Sequence, residues 1–345
     1  MKTFTIATIA GDGVGTEVIP QGKRVLEKIA KKYDVTFAFQ DFDWGAEHFF
    51  RWGRMMPAGA IDLLQPCDAI YLGAVGHPQI PDHTTLNGLL LPIRRAFDLY
   101  ANVRPARTII PGRFNDIDLV LVRENLEGLY VGFEHYIPVG DDPRAVAVGS
   151  GVNTRAGSRR IAEFAFDYAV RNGRKKVTIV HKANVLKALT GLFLDAAKDV
   201  AKRYEGRIAT EERIVDACAM QLVMNPWQFD VIVTTNLFGD ILSDEIAGLV
   251  GGLGMAPAAN IGVDAAIFEA VHGSAPDIAG RGVANPLALM LTAAMMLDHV
   301  GEQEKGRRLR AAIDGTLRVD GVRTGDMGGR ASTKDFTRAV AARLA

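Results

Sequence analysis

The chain has 345 residues, of which 48% are hydrophobic and 23% charged, a composition typical of globular proteins that excludes disorder as the main state. At usual domain sizes, this length predicts two domains or one large domain with an insertion. Forty basic and forty acidic residues give a net charge of zero, so neither a nucleic acid nor a membrane is expected as a partner.

Short β-branched runs alternate with longer amphipathic stretches along the whole chain, which predicts an α/β fold with a largely parallel sheet. The predicted strands are 3–9, 35–39, 68–74, 118–123, 176–181, 230–235 and 265–271. The predicted helices are 16–32, 89–99, 159–171, 184–203, 240–250 and 286–299. The longest apolar runs, 246–259 and 287–297, are too short to span a bilayer.

The section 129–152 has a different pattern. It is rich in glycine and aromatic residues and alternates as strands do, which indicates an antiparallel arm rather than a βαβ unit. There is no internal repeat and no low-complexity linker, so the predicted domains must be closely joined.

A glycine-rich turn, Gly11–Gly15, lies between the first predicted strand and helix. Such a turn allows a ligand to approach a helix N-terminus closely. Its spacing is G-x-G-x-G rather than G-x-G-x-x-G, and it contains an acid, so a Rossmann fingerprint is excluded. A purely structural turn is an equally good interpretation.

The acids Asp240 and Asp244 are spaced i, i+4 on a predicted helix, which places both carboxylates on one face, where a cation should lie between them. Mg²⁺ or Mn²⁺ would suit two or three carboxylates. Asp216, just after the strand-like pair 214–215, is a third candidate. The alternatives are a solvated helix face with basic neighbours and, for Asp216, a helix N-cap.

Arg94, Arg104 and Arg123, and less so Arg95, are candidates for binding carboxylates in the bidentate manner of guanidinium groups. If they converge, they predict a di- or tricarboxylate substrate. The alternative is that they lie on the surface with their stems over helices.

Lys182 follows a predicted buried strand and is a candidate general base, and Tyr130 could donate or accept a proton. An ordinary strand-end lysine and a half-buried tyrosine are the alternatives. Beyond the last predicted strand, a loop that runs from His272 to Asp277 and is followed by Asn285 could surround a nucleotide and offer a carboxylate to ribose hydroxyls. A structural turn is the alternative there.

The N-terminus is expected to form a strand rather than a signal peptide. The two cysteines, Cys67 and Cys218, are expected to be reduced, buried thiols without a catalytic role. Both features predict a cytoplasmic protein.

Taken together, the segments GDGVG, DLYANVRP, VRENLEGLYVG, HKANVL, TTNLFGDILSDE and HGSAPDIAGRGVANP resemble, in this order, the β-decarboxylating dehydrogenases of isocitrate, isopropylmalate, homoisocitrate and D-malate or tartrate. The resemblance covers nearly the whole chain. It implies the isopropylmalate-dehydrogenase-like α/β fold, not a Rossmann fold, with a larger domain of residues 1–98 and 252–345 on the cofactor side and a smaller domain of residues 99–251. An arm of the smaller domain would interlock two subunits, in a homodimer or a tetramer with shared active sites.

The resemblance also implies a role for each candidate. Arg94, Arg104 and Arg123 would bind the carboxylates of a malate-type substrate. Asp240 and Asp244, together with Asp216 of the partner subunit, would hold Mg²⁺ or Mn²⁺. Lys182, also supplied by the partner, would remove the hydroxyl proton while hydride leaves for the nicotinamide, and Tyr130 would protonate the product after CO₂ departs.

For the cofactor, the resemblance implies NAD. Relatives that use NADP place Lys and Tyr where this chain has Asp277 and Ile278, and a carboxylate there repels a 2′-phosphate. The residues implied to bind the cofactor are His272, Gly273, Ser274, Ala275, Pro276, Asp277, Ile278 and Asn285, with His272 and Asn285 on the adenine side.

The substrate's C3 group would be contacted by Asn87, Leu90 and Leu91. The N-terminal half is most similar to D-malate and tartrate dehydrogenases, and the C-terminal half to homoisocitrate and isocitrate dehydrogenases. D-malate or tartrate is therefore the expected substrate, followed by 3-isopropylmalate and then by homoisocitrate or isocitrate. A non-catalytic regulatory subunit is a remote alternative, because all five residues implied to act on the proton or the metal are present.

Overall fold

The computed structural model of the protein describes residues 2–344, which form two compact units. Unit 1 contains residues 2–99, 107–116 and 247–344, and unit 2 contains residues 100–106 and 117–246. The segment 107–116 belongs to unit 1 because its first residues are tied to a helix of that unit. Arg107 donates to Asp314 at 2.6 and 3.0 Å, and Arg318 donates to the carbonyl of Ile109 at 2.8 Å.

Twelve strands are present among the described residues. They are β1 (Lys2–Gly11), β2 (Val35–Phe42), β3 (Ala69–Ala74), β4 (Ala101–Arg107), β5 (Asp118–Glu124), β6 (Gly128–Val139), β7 (Asp142–Val152), β8 (Lys176–His181), β9 (Ala209–Ile214), β10 (Val231–Thr234), β11 (Pro257–Ile261) and β12 (Ala266–Ala270).

The described α-helices are α1 (Gly15–Lys32), α2 (Ala46–Trp52), α3 (Ala60–Leu64), α4 (Asp82–Thr85), α5 (Leu91–Ala96), α6 (Arg155–Arg171), α7 (Leu189–Ala201), α8 (Val215–Met224), α9 (Asn236–Val250), α10 (Leu287–His299), α11 (Gln303–Arg318) and α12 (Thr333–Arg343). A π-helical turn, Leu86–Leu90, joins α4 to α5. Short 3₁₀ turns are Lys202–Tyr204, Pro226–Gln228, Leu253–Met255 and Gly325–Met327.

In unit 1 the strand order is β2-β1-β3-β12-β11, with parallel pairs except between β11 and β12. Helix α10 is apolar on every side and ten of its thirteen residues are buried, which explains the apolar run in the sequence. Helices α1 and α11 pack against it, and α12 packs against α1 and α11. No helix among residues 2–344 is both long and apolar enough to cross a membrane.

In unit 2 the strand order is β4-β5-β10-β8-β9, and the pairs β5–β10, β10–β8 and β8–β9 are parallel. Strands β6 and β7 form a separate two-stranded antiparallel sheet that is exposed along most of its length. The arm predicted for 129–152 is thus present, and the prediction of a mixed α/β fold is confirmed.

All seven predicted strands are present to within a few residues, but β4, β9 and β11 were not predicted. The predicted helix 89–99 is wrong as a regular helix, because its first residues belong to the π-helical turn and it ends at Ala96. The pair 214–215, taken as strand-like, is split: Ile214 ends β9 and Val215 begins α8. Cys67 and Cys218 are both free, as expected, but only Cys218 is buried, so the prediction of burial is wrong for Cys67.

Candidate active site

Arg123 and Asp240 are brought together at one edge of the unit 2 sheet. Arg123 lies near the end of β5, and Asp240 lies on α9, which follows the parallel neighbour β10. The buried Arg123 guanidinium donates to Asn236 Oδ1 from Nε (3.2 Å) and Nη2 (2.6 Å) and forms an ion pair with Asp240 through Nη1. Gly239 allows this approach, because a Cβ there would lie 2.6 Å from Cγ of Arg123.

Arg104, on β4, lies between the two acids of α9. Its Nη2 is 3.3 Å from Asp240 Oδ1 and its Nη1 is 3.4 Å from Asp244 Oδ1. Nη1 also donates to Ser243 Oγ at 2.5 Å, and Nε donates to Asn102 Oδ1 at 2.7 Å. The two acids therefore share one helix face, as their spacing predicted, and in this chain their cationic neighbours are arginines.

Tyr130, on β6, donates its hydroxyl to Asp240 Oδ2 at 2.6 Å, and its ring lies 5.3 Å from the Arg123 guanidinium carbon. Burial and the neighbouring Asp240 raise the pKa of Tyr130, so its hydroxyl keeps its proton. Burial, with a further contribution from Asp240, also raises the pKa of Asp244, although Arg104 opposes this shift. The cluster thus combines two carboxylates, two guanidinium groups and one phenol that can donate a proton.

Lys182 and Asp216 form a second cluster in unit 2. Lys182 follows β8 directly and forms an ion pair with Asp216, which lies in the first turn of α8. This hydrogen bond lowers the pKa of Asp216. The N-cap interpretation of Asp216 is wrong, because the N-cap residue is Ile214. Within residues 2–344, no three His, Cys, Asp or Glu side chains are grouped as a metal site would require, so Asp216 does not complete a triad with the two acids of α9 in one chain.

Arg94 lies on α5 of unit 1, where it is buried and forms an ion pair of 2.7 Å with Glu269 on β12. Asn260 donates to the same Glu269 oxygen at 2.7 Å. Nε of Arg94 is buried without a hydrogen-bond partner. A buried donor of this kind is costly unless a ligand satisfies it, and a carboxylate is the ligand that a guanidinium prefers.

The three candidates for the substrate's side group lie on or beside the π-helical turn. Asn87 is exposed and its Nδ2 donates to the carbonyl of His83 at 2.8 Å. Leu90 and Leu91 are both half-buried. Leu90 packs against the hydrophobic core, and Leu91 lies at the start of α5. Among these three side chains, Asn87 is therefore the polar and accessible one.

A cavity of about 560 Å³ opens in unit 1 between two loops. One wall is the segment 75–82, and the other is formed by Gly273, Ser274 and Pro276. His272 precedes Gly273 of this wall. Burial lowers the pKa of His272, so its ring is neutral, and its Nε2 is buried without a hydrogen-bond partner. The unpaired Nε2 is a second buried polar atom that a ligand could satisfy.

The rest of the predicted cofactor loop is well anchored in unit 1. Asn285 accepts from the amide of Leu287 at 3.0 Å and donates to Asp326 Oδ2 at 2.9 Å. Asp277 is exposed, whereas Ile278 packs partly against the core. Ala275, in the middle of the loop, has a φ of +40°, which makes the chain turn sharply there.

Six residues whose side chains belong to these clusters were not predicted: Asn102, Asn236, Ser243, Asn260, Glu269 and Asp326. Asn236 and Ser243 lie four residues before and three after Asp240, so helical spacing alone could have identified them. A lone acid in the apolar strand AIFEA was the signal for Glu269. Asp326 gave no signal, because it reaches Asn285 from a distant segment.

Comparison with known proteins agrees with this architecture. The family model for isocitrate/isopropylmalate dehydrogenase matches residues 5–340. The isocitrate/homoisocitrate dehydrogenase of Thermus thermophilus is 48% identical over 98% of this chain and 97% of its own. A 3-isopropylmalate dehydrogenase of Archaeoglobus fulgidus is 45% identical over 98% of this chain and 99% of its own. A probable tartrate dehydrogenase/decarboxylase of Agrobacterium vitis is 41% identical over 100% of this chain and 99% of its own.

Among solved structures, the crystal structure of isocitrate dehydrogenase from Methylococcus capsulatus matches with a TM-score of 0.91 and 44% identity over 99% of both chains. The family match and the names of these relatives show a decarboxylating dehydrogenase that acts on a secondary alcohol. The chain belongs to the isocitrate/isopropylmalate dehydrogenase family, whose members are metal-dependent and use NAD or NADP. The resemblance inferred from the motifs is thereby confirmed.

Proposed function

We propose that this enzyme oxidises the C2 hydroxyl of a malate-type dicarboxylate with NAD and releases the β-carboxylate as CO₂, with D-malate or tartrate as its substrate. The observation that carries the proposal is the cluster in which Arg104, Arg123 and Tyr130 all contact Asp240. Cations for the substrate carboxylates, oxygen ligands for a metal and a proton donor meet there within a few ångströms.

Asp240 and Asp244 fit Mg²⁺ or Mn²⁺, because both ions prefer carboxylate oxygens and the two acids share one helix face. Within residues 2–344 no third His, Cys, Asp or Glu is grouped with these two acids, so we propose that Asp216 of the partner subunit is the third ligand. When bound, the ion acts as a Lewis acid at the oxidised carbonyl. Its charge at Asp240 would also replace the ion pairs of Arg104 and Arg123, which could then bind substrate carboxylates.

The chain's own groups supply the proton transfers. Lys182 of the partner subunit would take the C2 hydroxyl proton, and NAD, when bound, would supply the acceptor for the C2 hydride. The bond between C3 and the β-carboxylate then breaks and CO₂ leaves. The electron pair of this bond stays on the substrate as an enolate, and Tyr130 donates a proton to C3. Arg94, with Arg104 and Arg123, holds the carboxylates in place, and the unsatisfied Nε of Arg94 supports this role.

We further propose that NAD binds in the cavity of unit 1, with His272 Nε2 and Asn285 on the adenine side. The loop that follows His272, from Gly273 to Ile278, forms the wall against the cofactor. The exposed carboxylate of Asp277 would accept hydrogen bonds from ribose hydroxyls and repel a 2′-phosphate, which favours NAD over NADP.

The preference for D-malate or tartrate rests on Asn87 and on the motifs of the N-terminal half. An exposed amide suits a small or hydroxylated C3 better than an isopropyl group. The Thermus and Archaeoglobus relatives are named for homoisocitrate, isocitrate and isopropylmalate, so these remain the alternative substrates. The cytoplasmic location, inferred from the N-terminus and the cysteines, also stays a prediction.

The test is the initial rate of NADH formation with Mn²⁺ on D-malate, L- and meso-tartrate, 3-isopropylmalate, isocitrate and homoisocitrate, with NADP⁺ in parallel. We expect the highest kcat/KM with NAD and either D-malate or tartrate. A higher value with isopropylmalate or homoisocitrate would overturn the substrate assignment, and a preference for NADP⁺ would overturn the cofactor assignment.

A variant sharpens the substrate test. Asn87→Leu should lower kcat/KM for tartrate roughly 10- to 100-fold and change that for D-malate much less, because D-malate has no C3 hydroxyl to bond to the amide. An equal loss with both substrates would mean that Asn87 does not contact the C3 group.

A further inference from the structure

The glycine-rich turn Gly11–Gly15 has no role in the proposed chemistry, yet it touches both loops that form the cavity of unit 1. Gly13 has a φ of +52°, and a Cβ at this position would lie 2.0 Å from the carbonyl oxygen of Ser274. Next to it, the amide of Val14 donates to that same oxygen at 2.8 Å. The turn is therefore packed directly against the 273–276 wall.

Asp12 ties the same turn to the opposite wall. The residue is 5% exposed, and its Oδ2 accepts from the amide of Gly76 at 2.8 Å. Oδ1 accepts from the amide of Ala46 at 2.6 Å, and the backbone amide of Asp12 donates to Ala74 at 2.7 Å. Gly76 lines the cavity, so the position of this wall depends on a buried carboxylate.

Glu17, in the first turn of α1, holds the continuation of the other loop. One carboxylate oxygen accepts from the amide of Gly280, and the second accepts from the amide of Gly282 at 2.8 Å. These amides lie between Ile278 and Asn285, the last two residues assigned to the cofactor. The segment 12–17 thus contacts both sides of one cavity.

The turn itself is unsuited to bind a phosphate. Its amides at Asp12, Val14 and Gly15 already donate to protein carbonyls, and its two nearby carboxylates would repel an anion. In the dinucleotide fingerprint of other folds, the glycines approach the ligand, whereas here they approach the walls around it.

We propose that Asp12 and Glu17 are positioning residues for the dinucleotide, which hold the two walls of the cavity at the separation that the cofactor requires. The inference rests on the proposed binding of NAD in this cavity. It assigns to GDGVG a role in cofactor affinity without contact with the cofactor.

The test compares Glu17→Gln with Glu27→Gln, which removes the same charge from an exposed position of the same helix. A glutamine offers one acceptor oxygen instead of two, so one loop amide loses its partner. We expect the Kd for NAD, measured by calorimetry on the full-length enzyme, to rise roughly tenfold in Glu17→Gln and to stay unchanged in Glu27→Gln. KM for NAD should rise in parallel, while kcat and the KM for the acid substrate stay within about twofold.

Hydrogen exchange provides a second measurement that needs no ligand. In the free enzyme, the amides of Gly280 and Gly282 should exchange faster in Glu17→Gln than in wild type or Glu27→Gln. Unchanged exchange, or equal NAD affinities in the two variants, would overturn the positioning role while leaving the proposed function intact. A wild-type enzyme that binds no NAD would instead overturn the cofactor proposal, and the inference would fall with it.

Discussion

At the scale of single residues, Asp240 is the centre of the candidate site. Oδ1 faces Arg104 and Arg123, and Oδ2 accepts the hydroxyl of Tyr130. The carboxylate thus orients the phenol, and burial together with this carboxylate raises the pKa of Tyr130, which suits a group that must deliver a proton after CO₂ leaves.

Replacing this phenol should therefore slow turnover without affecting cofactor binding. We expect Tyr130→Phe to lower kcat roughly 100- to 10,000-fold, the usual range for a general acid, and to leave the Kd for NAD unchanged. Tyr33→Phe, at the C-cap of α1 in unit 1, where the ring lies 5.1 Å from the Arg308 guanidinium carbon, is the matched control for steady-state kinetics. A kcat for Tyr130→Phe equal to that of the control would remove Tyr130 from the mechanism.

Glu124, beside Arg123, makes stability depend on pH. Its buried carboxylate accepts from the amides of Leu126 (3.0 and 3.1 Å) and Glu127 (2.7 Å), and burial raises its pKa from 4.5 to about 7. The folded state therefore holds this proton more tightly than the unfolded chain does. The tighter binding of this proton stabilises the folded state fully below pH 4.5, and the stabilisation is lost as the pH rises through about 7.

We expect the free energy of unfolding of wild type to fall between pH 4.5 and 7 by up to about 1.4 kcal/mol per pH unit relative to Glu124→Gln, which does not titrate. Urea unfolding of both proteins across this range isolates the contribution of Glu124, since all other groups are shared. Parallel curves for the two proteins would show that Glu124 keeps its ordinary pKa.

At the scale of elements, helix α9 shows how backbone spacing determines the site. Gly239 faces Arg123, with only 2.6 Å between a hypothetical Cβ and Cγ of the arginine, whereas Gly248 on the same helix is exposed and has nothing within 4 Å. The two glycines therefore provide a matched pair of Gly→Ala substitutions.

Gly239→Ala should displace Arg123 and raise the KM for the acid substrate roughly tenfold or more, because a bidentate guanidinium contact depends on position. Gly248→Ala should leave the KM unchanged and raise the unfolding free energy by about 0.5–1 kcal/mol, since alanine is the better helix former. Equal KM values in the two variants would contradict the role of Gly239.

Periodicity in the sequence predicted the buried strands and the arm, because these segments have a clear hydrophobic alternation or run. It missed β9, because three of the six residues of ATEERI are charged. This strand lies at the edge of the unit 2 sheet. Oε1 of its Glu211 forms an ion pair with Nζ of Lys176 on β8, at 3.0 Å. Edge strands are often charged, so a search for apolar runs does not find them.

The side chains of the site were predicted by motif, but their partners were not. That Asp240 and Asp244 share a helix face follows from their spacing, whereas their contact with Arg104 depends on the arrangement of β4 and α9. The pairing of Arg94 with Glu269 joins residues 175 positions apart. Such contacts depend on tertiary structure, and no local pattern predicts them.

At the scale of the whole molecule, the exposed apolar side chains bear on the proposed homodimer. They lie on the arm and on or after α8, the helix that carries Asp216: Phe133, Tyr136, Ile137, Val139, Val146, Met220, Val223, Met224 and Trp227. Surfaces of this kind are usually covered by another chain. They support the proposed homodimer, in which each chain supplies Lys182 and Asp216 to its partner's site.

The most direct test is complementation between Lys182→Met and Asp240→Asn chains, each carrying a different affinity tag so that the mixed dimers can be isolated. Each homodimer should be inactive. A mixed dimer should retain one intact site of two and about half of the wild-type rate of NADH formation from D-malate with Mn²⁺. A mixed dimer that stays as inactive as the two homodimers would contradict a shared site, and a fully active Lys182→Met homodimer would contradict the catalytic assignment itself.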